Sequence, residues 1–236
     1  MPGLGLHLLG PVGVTVDGRP FDGLHIRPAL ALCIYLACRP ERHPREHLMA
    51  LLWPDFTPAS AHQNLRQTLY VLRQSLPEVA SAAGNAHPVP LMLADRTTVQ
   101  LNPDAAVAVD ARRFASLLNS PRVTFEQTAE AACLYRGDFL SDFYLPDSNP
   151  FEEWAAAQRA ELRRLMLDAL GRLAAEAEAR GRYEESAAHA RRQLAMDDLR
   201  ESAYQQLMLA LARGGQRAEA LAVYERCRRL QDDLGL

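Results

Sequence analysis

Lysine is absent: all 26 basic residues of this 236-residue chain are arginine. A phosphate-binding loop with its lysine, a Schiff-base amine and a lysine general base are therefore excluded. With so much alanine beside it, the bias points to a GC-rich coding genome rather than to a physical adaptation. Cysteine is also sparse: Cys33, Cys38, Cys133 and Cys227 form no C-x-x-C pair, and they fall mostly on apolar helical faces. They read as free thiols in a reducing compartment. No apolar run approaches a membrane span of about 20 residues. The opening MPGLGLHLLGPVGV has no basic residue before Arg19 and is broken by glycine and proline, unlike a secretory signal. These features place the chain in the cytoplasm, away from membranes. A net charge of −3 gives no global pull toward nucleic acid, so any basic surface must be local.

The most informative absence is local. Between Asp55 and Glu78 there is no carboxylate. Within that window, Leu65, Leu69, Leu72 and Leu76 recur at helical spacing, which predicts an amphipathic helix over Thr57–Leu76. At about 100° per residue, Arg66 and Arg73 flank the apolar stripe, while Gln63, Gln67, Tyr70 and Gln74 point nearly opposite to it. Amide, guanidinium and phenol groups can donate to phosphates and pair with base edges. A merely solvated face also fits these residues, although it more usually mixes glutamate with its arginine.

The preceding stretch, His43–Trp53, places Pro44 at the first helical position and Leu48, Leu51, Leu52 and Trp53 on an apolar face. Pro54 to Pro58 breaks it from the next helix, and two helices joined by a short turn follow the helix-turn-helix plan. Before them, Leu4–Leu9 and Val12–Val16 read as antiparallel strands, and Arg27–Cys38 as a buried helix closed by Arg39-Pro40. After them, Pro77–Pro90 is a small-residue connection, and Leu91–Leu93 with Val99–Leu101 form a hairpin in the place of a wing. Arg96, with Thr97 and Thr98 at its tip, can reach phosphate or a minor groove, or Arg96 is a solvated residue beside Asp95.

Asn102-Pro103-Asp104 ends the β part, and Asp110 caps the first helix of an almost wholly helical region, followed by a helix at Phe125–Tyr135. The aromatics of the irregular stretch 136–150 are expected to plug the end of the helical stack. From Phe151 the sequence repeats with a period of 34 residues: Leu170, Leu173, Ala177 and Gly181 are matched by Tyr204, Leu207, Leu211 and Gly215, and Ala187-Ala188 by Leu221-Ala222. This is the tetratricopeptide period, and residues 110–161 are expected to add helices that cap so short a stack.

In this order, several short motifs resemble the bacterial transcriptional activator domain family, the antibiotic-pathway type of regulator. They are Leu51-Leu52-Trp53-Pro54, Asn64-Leu65-Arg66, Leu69 through Leu72-Arg73, Tyr135-Arg136-Gly137-Asp138-Phe139-Leu140, Glu153-Trp154, Gly181-Arg182-Tyr183-Glu184 and Ala218-Glu219-Ala220-Leu221 with Tyr224. The resemblance covers nearly the whole chain. It implies a mainly α protein, with a small α+β winged helix-turn-helix domain at 1–104 and an all-α tetratricopeptide-like activator domain at 110–236. It further implies a transcription regulator that binds direct repeats of double-stranded DNA as a homo-oligomer and meets RNA polymerase or further regulatory domains. It places Asn64, Arg66 and Arg73 in the recognition helix; Gln63, Gln67 and Tyr70 come from the helical wheel. Family members commonly continue beyond the point matching Leu236, so this chain is either a minimal regulator or the front of a longer protein.

No catalytic role is expected, because no nucleophile has a base and an orienting acid at recognisable spacing. His43-Pro44-Arg45-Glu46-His47 matches a zinc-peptidase pattern, but a helix starting at Pro44 puts His43 at its cap rather than one turn behind His47, and the pattern reads instead as a helix-start histidine and arginine near a DNA phosphate or in solvent. No metal and no cofactor are expected. Residues 1–104 carry eight arginines against eight acids, so the domain is neutral and phosphate neutralisation is limited. That leaves a rival of a different class: an interaction scaffold without DNA binding, forming the front of a larger signalling or assembly protein.

Overall fold

The computed structural model describes residues 3–76, 78–82 and 87–234, with only the backbone of Asp233 and Leu234. Part of the expected Pro77–Pro90 connection therefore lies outside the described residues. The chain packs as two compact units, one of residues 1–114 with 134–162 and one of residues 115–133 with 163–236.

The first unit opens with β1 (Leu4–His7), β2 (Gly13–Val16) and β3 (Arg19–Pro20), followed by α1 (Arg27–Cys38). Pro28 lies in the first turn of α1, and eight of its residues are buried, as its nearly all-round apolar sequence requires. Next come β4 (His43–Pro44), α2 (Arg45–Leu52), α3 (Pro58–Ser75), β5 (Met92–Ala94), β6 (Thr98–Leu101) and β7 (Val107–Val109). α1 packs on α2, α3, β6 and β7. Leu65 and Leu72 of α3 are wholly buried, and Leu69 and Leu76 nearly so, which is the stripe read from their spacing.

Two features of this region depart from expectation. Pro44 is paired in β4 and caps α2 from outside; it is not the first helical residue, and Trp53 ends α2 as a buried cap. The β part also does not end at Asp104. β7 pairs in parallel with β1, Leu4 against Val107 and Leu6 against Val109, in a sheet ordered β3-β2-β1-β7. A second sheet, ordered β4-β6-β5, holds the wing hairpin.

The chain continues through α4 (Asp110–Leu118), α5 (Phe125–Leu134) and α6 (Asn149–Ala179). Asp110 is the first residue of α4, and besides Ala111 its carboxylate accepts from the distant amides of Leu8 and Leu9. The aromatic stretch belongs to this first unit and not to the repeat stack. Its backbone runs beside residues 8–12: Leu140 N donates to Leu8 O at 2.9 Å and Gly10 N to Asp138 O at 3.2 Å. A β-carbon on Gly137 would lie 3.1 Å from the Gly10 Cα, a tight approach that favours glycine here. Phe139 is buried edge-on to Trp154, and Phe143 lies against Phe151, but Tyr144 is exposed.

The second unit carries the repeat: the latter part of α6, α7 (Tyr183–Met196), α8 (Glu201–Arg213) and α9 (Arg217–Leu234). Gly181 and Gly215, 34 residues apart, both adopt positive φ, at 73° and 84°. The same bond closes both turns: Arg182 N donates to Ala177 O and Gln216 N to Leu211 O, each at 2.8 Å. The paired apolar positions, Leu170 with Tyr204, Leu173 with Leu207 and Ala177 with Leu211, are all buried. Symmetry ends at α9, where Leu221 is 64% exposed although its match Ala187 is buried. Of the segment expected to cap the stack, only 115–133 joins this unit, with Arg192 reaching Ala132 O and Arg180 lying over the Phe125 ring.

Candidate nucleic-acid interface

Thr57 starts α3 by accepting from Ser60 N, and Pro58 follows at the first helical position, so the helix begins where its sequence directs. Burial of Ala61, Leu65, Thr68, Leu69 and Leu72 then fixes its rotation. The opposite face carries Gln63, Gln67, Tyr70 and Gln74, with Arg66 and Arg73 on its flanks, all exposed, with Tyr70 at 59%. Among the described residues, none of the side chains of Gln63, Arg66, Gln67, Tyr70 and Arg73 is engaged in a hydrogen bond or ion pair. Asn64 is half-buried at the margin of this face.

The wing stands beside the helix. β5 and β6 pair with Met92 opposite Leu101 and Ala94 opposite Val99, and β4 adds His43 opposite Val99 and Pro44 opposite Thr98. At the tip, Arg96 is exposed, and Thr97 is exposed with its amide and hydroxyl both donating to Asp95. The Asp95 carboxylate also accepts from the amide and hydroxyl of Thr98. These donors hold its pKa far below the ordinary carboxylate range. The acid at the wing tip is thus turned onto the turn's own donors.

A cleft of about 530 Å³ lies between the end of α3 and the hairpin. Leu72, Leu76, Leu91 and Met92 line it, with Arg42 and Arg73 among its polar residues. Arg42 donates its Nε–H to Gln100 on β6 at 3.2 Å. Arg45 donates its backbone N–H to Thr97 O and its Nε–H to Asp95 O at the wing tip. Sequence reading missed Arg42 and these bonds of Arg45, because both depend on strand pairing between residues more than 50 positions apart.

The two histidines of the zinc-like pattern do meet, contrary to expectation. Because Pro44 lies outside α2, the ring of His43 folds back to stack on that of His47, with centroids 5.8 Å apart. Their Nε2 atoms are engaged by protein groups: His43 with Arg39 O at 2.9 Å, and His47 with the Tyr35 hydroxyl at 2.8 Å. Among the described residues, no cluster of three or more histidine, cysteine, aspartate or glutamate side chains has the geometry to hold a metal ion. No described helix is long and apolar enough to cross a membrane.

Residues 105–236, more than half of the chain, match the family model described as bacterial transcriptional activator domain. No curated protein matches the sequence. The fold is similar to that of Mycobacterium tuberculosis EmbR, solved in complex with a low affinity phosphopeptide, with a TM-score of 0.69 and 24% sequence identity. The likeness covers 100% of this chain and 61% of that one, so the chain spans about three-fifths of the length of the EmbR chain.

Proposed function

The chain belongs to the bacterial transcriptional activator domain family, and from that premise we propose that it is a sequence-specific DNA-binding transcriptional activator of the cytoplasm. Residues 1–104 supply the DNA-contacting surface and 110–236 the activator domain. α3 enters the major groove and presents Gln63, Asn64, Arg66, Gln67, Tyr70 and Arg73 to base edges and phosphates, while Arg96 and Thr97 of the wing face the backbone. The partner is double-stranded DNA carrying direct repeats. The helical region serves self-association or contact with RNA polymerase.

The observation that carries this reading is the outer face of α3: an unbroken set of exposed donors, without a carboxylate, on a helix whose opposite face is locked in the core. Buried leucines fix the rotation of that face, so the donors are presented in register rather than on a mobile segment.

One observation favours a second reading. The neutral balance of residues 1–104 suits a protein-docking scaffold better than a strong duplex binder. Selection of sites from a random duplex pool, at low and near-physiological salt, separates the two. Enrichment of a direct repeat whose affinity falls as salt rises supports the activator. No enrichment at low salt, with the protein folded, supports the scaffold.

A further inference from the structure

We propose that Arg45 and Asp95 are positioning residues that tie the wing tip to the helix-turn-helix, so that Arg96 is held out as the cation the tip presents. This rests on the DNA-binding reading above and adds to it residues that need touch no nucleic acid.

The wing turn contains no glycine. Its order comes instead from converging hydrogen bonds. Asp95 N donates to Thr98 O at 3.0 Å and closes the turn. The Asp95 carboxylate accepts from Thr97 N and Thr98 N, both at 2.7 Å, and from their hydroxyls at 3.0 and 2.8 Å. The turn's outward carbonyls are then taken from the other side. Arg45, the first residue of α2, donates its backbone N–H to Thr97 O at 2.9 Å and its Nε–H to Asp95 O at 3.0 Å. Pairing of Pro44 with Thr98 continues the same seam.

What remains unspent at the tip is Arg96, exposed and engaged by no described residue. An arginine on a mobile loop loses conformational entropy when it meets a phosphate, whereas one on a fixed turn has already lost most of it. The anchor also ties the wing to α2 and so keeps its phase relative to α3, which decides whether wing and recognition helix can engage one duplex together. In this geometry the tip acid is part of the scaffold that presents the cation.

The test uses the full chain and a duplex site recovered by selection. Arg96→Ala is expected to weaken binding about tenfold whatever the sequence, and to lower the slope of log affinity against log salt by about one. Arg45→Ala is expected to weaken binding by a similar factor. The double variant is expected to bind within about twofold of Arg96→Ala alone, because both changes remove the same contact. Arg45→Lys, which keeps the charge but has no Nε–H in that position, is expected to behave like Arg45→Ala. Additive losses, or full rescue by lysine, would show Arg45 to be a phosphate contact itself and overturn the proposal. A readout without DNA accompanies these. Backbone order parameters at residues 95–98 are expected near about 0.85 in the parent and below about 0.6 in Arg45→Ala and Asp95→Asn, with α3 unchanged. Unchanged order in both variants rejects the anchor. A parent that binds no duplex while the order parameters fall as expected rejects the DNA-binding reading and with it the purpose assigned to the anchor.

Discussion

The Asp110 carboxylate accepts the backbone N–H of Leu8 at 2.7 Å, across 102 positions of sequence. Leu9 N reaches the other oxygen at 3.2 Å, and Arg136 pairs with that oxygen at the same distance. One side chain, only 7% exposed, thus joins the end of the first strand, the start of α4 and the segment leading into Gly137. Asp110→Ala leaves two amides of the sheet end without their acceptor and the Arg136 guanidinium without its partner. A loss of about 2 kcal/mol is expected, because the two amides lose their acceptor at a largely buried site, whereas the half-exposed Arg136 is resolvated. The urea midpoint measures it, and Asp110→Asn, which keeps one acceptor oxygen, is expected to lose about half as much.

Gly181 and Gly215 close equivalent turns at positive φ, and a β-carbon on either would meet nothing within 4 Å. Substitution by alanine therefore costs backbone strain alone, about 1 kcal/mol at each site. Asparagine, which tolerates the left-handed region, is expected to cost less than alanine at both. Near-equal shifts of the urea midpoint for the two alanine variants would verify the repeat energetically. A much larger shift at one site would show that the turns differ in ways their geometry does not express.

Structure that was legible in the sequence is local. The α1 boundaries follow from Pro28 and the Arg39-Pro40 stop, the rotation of α3 from leucine spacing, and the repeat from its paired glycines. What escaped is non-local. Val107–Val109 is three residues long, too short for an alternation to register, and its strand character comes from pairing with β1 about 100 positions earlier. The aromatics at 136–150 have no periodicity, so nothing in the sequence shows that they join residues 8–12 rather than the helical stack. In the candidate interface, the wheel gave the exposed face of α3, but the anchoring of the wing by Arg45 spans 50 residues and leaves no spacing signal.

Burial sorts the thiols. Cys33 and Cys38 both have thiol pKa values pushed up to about 12 by loss of solvation, while Cys133 is exposed. A thiol-reactive disulfide at pH 8 is expected to modify exposed Cys133 rapidly, half-buried Cys38 more slowly, and buried Cys33 only as fast as the first unit opens, because the thiolate is the reacting form. The same shift sets a pH dependence. The folded state keeps protons that the unfolded state releases near pH 9, so stability from these thiols is intact below about 9 and declines as pH rises toward 12. Cys33→Ala is expected to flatten that alkaline decline in thermal melts; an unaltered decline would assign it to other groups.

Arg66 decides between the two readings of α3. It is exposed, engaged by no described residue, and set beside a wholly buried Leu65, so its removal takes nothing from the folded chain. Arg66→Ala is expected to leave the urea midpoint within about 0.5 kcal/mol of the parent, as for other surface substitutions away from structural contacts. If the side chain pairs with a base edge, binding to the selected site should weaken by about 1–3 kcal/mol, and discrimination at a single base-pair position should relax. Leu65→Ala provides the contrast: it empties part of the core beneath the same face and should cost about 2–5 kcal/mol of stability, with binding lost only as folding is lost. Parent-like affinity and specificity in Arg66→Ala would place the reading head elsewhere. Uniform weakening across sequences with a lower salt slope would make Arg66 a phosphate contact, and would pass the specificity to the amides of Gln63 and Gln67 on the outer face of the helix.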